Sequence, residues 1–189
     1  MTADRPASRA GASAPAAPSA TVAVWDPVVR IFHWGVVAAC TLNLFILSPG
    51  KTWHRYTGYA VLCLLVLRVV WGFIGSRYAR FSDFVRSPLV IRRYIVDLRH
   101  GRDVRHLGHN PAAAVMMVVL MILLLATAMS GWMMTLDAFW GNALIEEAHE
   151  VLANSIMVLA GLHALAAIVE SVRHRENLVL AMVTGRKKA

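Results

Sequence analysis

The stretch HEVLANSIMVLAGLH, residues 149–163, sets two histidines inside an apolar run that is typical of a membrane helix. They are 14 residues apart, which corresponds to about 21 Å of helix rise. At roughly 100° per residue, both rings point to nearly the same side of the helix. Imidazoles in lipid are costly unless something pairs with them. The stretch therefore predicts two ligands at two depths, which suits two flat metallocycles better than one compact metal site.

The composition indicates an integral membrane protein with helical spans. Of the 189 residues, 58% are hydrophobic, the mean hydropathy is +0.55, and four apolar runs approach the length that crosses a bilayer. We therefore predict an all-α fold, an integral membrane four-helix bundle. The net charge of +8 lies mainly in one loop and the two tails, as membrane topology requires, so we expect no nucleic-acid partner.

The chain divides into three predicted segments. Residues 1–23 are rich in Ala, Pro and Ser, contain no signal-peptide core, and predict a disordered cytoplasmic tail. The membrane domain is predicted over residues 24–175, and a basic cytoplasmic tail over 176–189. Asp26 with Pro27, and Asn110 with Pro111, are typical helix starts. The four spans are predicted at about residues 27–47, 53–74, 111–134 and 148–172.

The distribution of arginine predicts the orientation. Residues 75–110 hold eight arginines, and the C-terminal tail is also basic, whereas residues 135–147 have no lysine or arginine. The positive-inside rule then places both termini and the middle loop in the cytoplasm. Within that loop, residues 87–101 predict an amphipathic helix, which either lies on the membrane surface or packs against neighbouring loops.

The direction of the spans places four histidines at two depths. His33 and His163 lie near the cytoplasmic ends of the first and fourth spans, and His54 and His149 near the outer ends of the second and fourth. Two histidines on facing helices are a common way to hold haem iron, so each pair predicts one haem between the helices. Zinc or non-haem iron needs three or four converging ligands, which the spacing along the fourth span forbids.

Three further residues are candidates for contact with a cofactor. Arg68 lies at the depth of His33 and His163, where a haem propionate would neutralise it, and Arg30 stands about one turn before His33. For His109, at the border of the third span, solvation in the loop competes with contact to a propionate or a quinone. The two cysteines form no CxxC or CxxCH, so we expect neither a disulfide framework nor covalently attached haem.

Several motifs together resemble those of the bacterial cytochrome b561 family, which includes the b-type cytochrome subunit of nickel–iron hydrogenases. They are VWDPVVRIFHW, WHRYTGY, LRVVWGFIG, GHNP, HEVLAN, GLH and ENLVLAMVTGRKK. The resemblance covers about residues 24–188 and implies a four-helix cytochrome of the bacterial inner membrane with two non-covalent b haems. It implies axial ligands at His33, His54, His149 and His163. Hydrogenase-type members carry a further segment that meets their partner, and none is evident here, which argues against a dedicated hydrogenase role.

The predicted function is electron transfer across the membrane. Histidine at both axial positions leaves no open site on the iron, which favours electron transfer over oxygen binding. Redox partners are then expected at both ends: membrane quinone, and a c-type cytochrome or another redox protein. Two alternatives stay open, namely a haem-bearing membrane anchor subunit of a larger oxidoreductase, and a transporter that uses histidines as proton relays.

Overall fold

Four long helices dominate the computed structural model, which describes residues 20–102 and 105–189. The described helices are α1 (Pro27–Phe45), α2 (Thr52–Ile74), α3 (Phe81–Phe84), α4 (Pro88–Arg99), α5 (Pro111–Met133), α6 (Ala143–Arg173) and α7 (Leu178–Thr184), and the strands are β1 (Thr21–Ala23) and β2 (Arg186–Lys188). Of these, α1, α2, α5 and α6 are each long and apolar enough to cross a membrane. The predicted helical fold with four membrane spans is confirmed.

Two helix starts follow the predicted capping residues. The Asp26 carboxylate accepts a hydrogen bond from the Val29 N–H at 3.0 Å, and Pro27 opens α1. The Asn110 side chain caps α5 in the same way, by accepting from the Ala113 N–H at 2.7 Å. These caps set where α1 and α5 enter the bundle.

The fourth span begins earlier than predicted. The sequence predicts a span from about residue 148, but α6 starts at Ala143 because the Asn142 side chain accepts hydrogen bonds from two N–H groups of the first turn. Glu146 then lies in that first turn, where the helix dipole favours negative charge. His149 is consequently held well inside a regular helix.

The hydrophobic core lies between the two histidine levels. α1 packs along α2, α2 along α5, and α5 along α6. The buried cluster draws on all four spans: Phe32, Ala39, Val61, Leu65, Leu124 and Ile156. Ile156 stands midway along the chain between His149 and His163, so this core separates one pair of histidines from the other. The outward faces carry many exposed large apolar side chains, as lipid-facing surfaces do.

The two ends of the described chain pair with each other. β1 and β2 form an antiparallel pair in which Val22 lies opposite Lys187. The Gly185 carbonyl extends the pairing by accepting hydrogen bonds from the N–H groups of Val24 and Trp25, at 2.9 and 3.0 Å. We call residues 20–25 and 185–189 the terminal clasp.

Parts of both predicted tails contain regular structure. The last three residues of the predicted disordered tail, 1–23, form β1, while residues 1–19 lie outside the described residues. The predicted basic tail over residues 176–189 contains α7 and β2. The reason is that the backbone donors and acceptors of each segment are satisfied by the other, which composition alone does not reveal.

The arginine-rich segment folds at the same end of the bundle as the terminal clasp. The amphipathic helix predicted over residues 87–101 is confirmed as α4, which begins after Ser87 and packs against α5. Farther along, Arg105 donates to the Glu176 carboxylate at 3.1 Å and to the Lys188 carbonyl at 2.5 Å. We call this the arginine-rich end of the bundle, because it gathers residues 75–110 and both described chain ends.

Candidate haem-binding sites

The four histidines of the spans form two pairs that involve α6. The ring centroids of His33 and His163 are 6.5 Å apart, with 53° between the ring planes. Those of His54 and His149 are 6.3 Å apart, at 65°. These are the pairs expected from span direction. The first lies toward the arginine-rich end and is called the inner pair, and the second, toward the opposite end, the outer pair.

The separation within each pair leaves room for a metal ion between the rings. Two imidazole nitrogens, each about 2 Å from a shared ion, place the ring centroids about 6 Å apart, and both pairs meet this condition. α6 makes few close backbone contacts with α1 or α2 in the described chain, so each pair joins helices that are not packed tightly against each other. No three His, Cys, Asp or Glu side chains of the described residues converge on one point. Each pair therefore fits a flat group bound on both faces by imidazole, as haem is.

Arg68 is buried beside the inner pair without a full set of partners. It is 1% exposed, and its guanidinium carbon lies 5.4 Å from the Phe81 ring centre and 5.9 Å from that of Phe84. One nitrogen contacts the Met117 sulfur at 4.0 Å, and Nη1 has no hydrogen-bond partner. Cation–π contacts offset only part of the cost of burying a charge. Arg68 thus keeps the capacity to bind an anion, and a propionate carboxylate fits it.

His109 lies inside a stack of side chains. Its ring centroid is 4.6 Å from that of Trp25 and 5.1 Å from that of Phe84. Arg68 lies against the Phe84 ring, and the Lys187 ammonium lies 5.5 Å from the Trp25 ring. Burial, followed by the positive charges of Arg68 and Lys187, lowers the pKa of His109 to about 3, so the ring is neutral at physiological pH. Its Nδ1 is buried without a hydrogen-bond partner, so simple solvation does not describe this residue.

Arg30 is turned toward the C-terminal part of the chain. One of its terminal nitrogens donates to the Val183 carbonyl, and Trp34 donates to the neighbouring Met182 carbonyl at 3.3 Å. The Nε atom of Arg30 is buried and has no partner. Arg30 therefore links α1 to α7, and its Nε–H group is still available to donate to an anion.

Asp26 fixes the spacing between α1 and α2 at this end. Besides capping α1, its carboxylate accepts hydrogen bonds from Trp71 at 3.0 Å and from the Ser76 hydroxyl at 2.5 Å. Burial by itself would raise the pKa of Asp26, but the hydrogen bonds from Ser76, Trp71 and the backbone outweigh it and lower that pKa. An ionised carboxylate therefore holds together the helices that carry His33 and Arg68.

A residue that the sequence did not predict contacts the outer pair. The Ser130 hydroxyl lies 3.0 Å from Nδ1 of His149. The Nδ1 atoms of His33 and His54, in contrast, are buried without a partner. A serine in the most apolar span, followed by glycine, was the available signal, because a hydroxyl in lipid needs a partner.

Comparison with known families identifies the kind of protein that carries these pairs. Residues 24–185 match the family model of prokaryotic cytochrome b561. This chain belongs to the prokaryotic cytochrome b561 family. The resemblance seen in its motifs is confirmed, and with it a multi-pass membrane protein that binds b-type haem and transfers electrons.

Three curated relatives of this cytochrome b561 protein carry the name "Probable Ni/Fe-hydrogenase B-type cytochrome subunit". The protein of Rhodobacter capsulatus is 23% identical, over 88% of this chain and 81% of its own. That of Rhizobium leguminosarum bv. viciae is 23% identical over 88% and 89%, and that of Bradyrhizobium diazoefficiens 21% over 89% and 86%. No solved structure gives a significant match.

Proposed function

We propose that this protein carries electrons across the bacterial inner membrane through two non-covalent b haems, between membrane quinone and a redox partner such as a c-type cytochrome. The axial ligands are His33 with His163 and His54 with His149. The observation that carries the proposal is the separation of the rings in each pair, which suits an iron held by two imidazoles. Bound haem b supplies an iron that accepts and releases one electron.

The residues around the pairs suit this function. Imidazole on both sides leaves no position open for oxygen, so the site favours electron transfer. The unpartnered nitrogens of Arg68 and Arg30 point to propionate binding at the arginine-rich end, and neutral His109 lies in the same region. Between the two levels, the buried cluster around Ile156 keeps the pairs apart.

The proposed topology places the arginine-rich end in the cytoplasm, with residues 24–175 as one membrane domain. The eight arginines of residues 75–110 and both described chain ends lie at that end, while residues 135–147 at the other end have no lysine or arginine. The positive-inside rule then assigns the inner pair to the cytoplasmic side and the outer pair to the periplasmic side.

Four single replacements by alanine test the ligand assignment. His33→Ala and His163→Ala should remove one spectral component, and His54→Ala and His149→Ala the other, in optical spectra of the oxidised and dithionite-reduced protein. The matched control is His100→Ala, because His100 is an exposed histidine outside the spans. Wild-type protein should contain about two haems per chain in a pyridine haemochrome assay. Loss of the same component in His54→Ala and His163→Ala would contradict the pairing.

A second candidate function is that of a haem-bearing anchor subunit in a larger redox enzyme. It is favoured by the names of the three relatives, which describe subunits of a hydrogenase. Purification in a mild detergent distinguishes the two, because an anchor subunit elutes with stoichiometric partner chains. A free electron carrier elutes alone, and its reduced form is reoxidised when a soluble quinone analogue is added.

A further inference from the structure

We propose that Ser130 is a positioning residue for His149: its hydroxyl accepts the Nδ1 proton of the imidazole, presents Nε2 toward His54, and thereby sets the potential of the outer haem. The inference rests on the ligand role proposed for His149. It assigns a function to a residue other than the four histidines and the two arginines, Arg30 and Arg68, proposed to bind propionate.

The hydrogen bonds of Ser130 indicate where its own proton and that of the His149 ring lie. Ser130 Oγ lies 3.0 Å from the Thr127 carbonyl oxygen and 3.0 Å from His149 Nδ1. A serine hydroxyl has one proton and two lone pairs, and a carbonyl can only accept. The hydroxyl proton therefore goes to Thr127, and the remaining lone pairs accept a proton from His149. This assigns the tautomer with N–H at Nδ1 and a free lone pair at Nε2, which is the form that binds a metal.

The surroundings hold this arrangement in place. Ser130 is only 9% exposed, so water competes little for its hydroxyl. At the next position, a Cβ on Gly131 would lie 3.1 Å from Cε1 of His149, so the ring rests against bare backbone. α5 packs along α6. The Ser130–Gly131 pair thus both binds the ring and makes room for it.

The hydrogen bond distinguishes His149 from His33 and His54 among the proposed ligands. An imidazole that donates its second N–H becomes a more basic ligand, and a more basic ligand favours ferric over ferrous iron. The buried Nδ1 atoms of His33 and His54 have no such acceptor in the described chain. Ser130 therefore lowers the potential of the outer haem and leaves that of the inner haem unchanged.

Two variants of Ser130 test the role of the hydroxyl in the intact, haem-loaded protein. Ser130→Ala removes the hydroxyl acceptor, and Ser130→Thr keeps it. The matched control is Ser155→Ala on α6, where the hydroxyl donates to the Val151 carbonyl of its own helix at 2.7 Å. Potentiometric titration and low-temperature EPR measure the potential and the ligand orientation of each component. His149→Ala identifies which component belongs to the outer pair.

The expected result is that Ser130→Ala raises the potential of the outer component and shifts its EPR signal, or loses that component alone. Ser130→Thr and Ser155→Ala should resemble the wild type. The inference is overturned if Ser130→Ala leaves both components unchanged or alters only the inner one. It is also overturned if Ser130→Thr changes the outer component as much as Ser130→Ala does, because that result would indicate a packing role. If His149→Ala removes no component, the proposed ligand set fails instead, and the two failures are separate.

Discussion

Replacement of Arg68 by methionine should stabilise the haem-free protein and weaken its affinity for haem. Methionine keeps much of the length of the side chain and removes the charge. In the structure Arg68 is 1% exposed and lies against the Phe81 and Phe84 rings, and its Nη1 atom has no hydrogen-bond partner. A buried charge in this state is poorly compensated until an anion binds.

The size of each effect follows from these contacts. The two cation–π contacts contribute about 2 kcal/mol together, while an uncompensated buried ion costs several kcal/mol. Arg68→Met should therefore stabilise the haem-free protein by about 2 kcal/mol. Binding of haem to the variant lacks a charge-assisted hydrogen bond to a propionate, which lowers the net binding free energy by roughly 1.5–3 kcal/mol. The affinity for haem should fall by roughly 10- to 150-fold.

Thermal unfolding in detergent, with and without haem, measures the first effect, and the rate of haem transfer to apomyoglobin the second. Arg80→Met is the matched control, because Arg80 is an exposed arginine of the same end of the bundle and should change neither quantity. The reasoning is refuted if the haem-free Arg68→Met protein is less stable than wild type while its haem transfer rate is unchanged.

Three further predictions concern the terminal clasp, the outer pair and the topology. Burial alone would raise the pKa of Glu176, but hydrogen bonds from the Lys188 N–H and from Arg105 lower it. The ionised carboxylate therefore stabilises β2 above about pH 4.3, which is the pKa of glutamate in an unfolded chain. This contribution is lost as the pH falls through the lowered pKa of the folded protein. Hydrogen-exchange protection factors in β2 should fall at acid pH in wild type and be low throughout in Glu176→Gln. Gly131→Val should displace the His149 ring and remove the outer spectral component; an unchanged spectrum would show that the ring has room to move. Alkaline phosphatase fused after Asp97 should be inactive, whereas strong activity would reverse the inner and outer assignments.

Local sequence pattern was sufficient to predict the four spans and to pair the histidines by depth. Apolar runs of bilayer length, and cap signals such as Asp26 and Asn110, depend on neighbouring residues only, so the helices could be placed to within a few positions. The start of α6 was missed because Asn142 caps it without the proline that marks α1 and α5. The histidine pairs followed from the direction of the spans, and the structure brings the same rings together.

Tertiary structure decided the contacts between residues that are far apart in the chain. The terminal clasp joins Val22 to Lys187, and the stack around His109 brings together side chains from both ends of the chain and from α2 and α3. Nothing in the sequence near His149 indicates that Ser130 lies at its Nδ1 atom. The sequence by itself determined which four segments are long and apolar enough to cross a membrane, because transfer into lipid depends on each segment alone. Which buried donor meets which acceptor depends on the packing of whole helices, and only the folded bundle settles it.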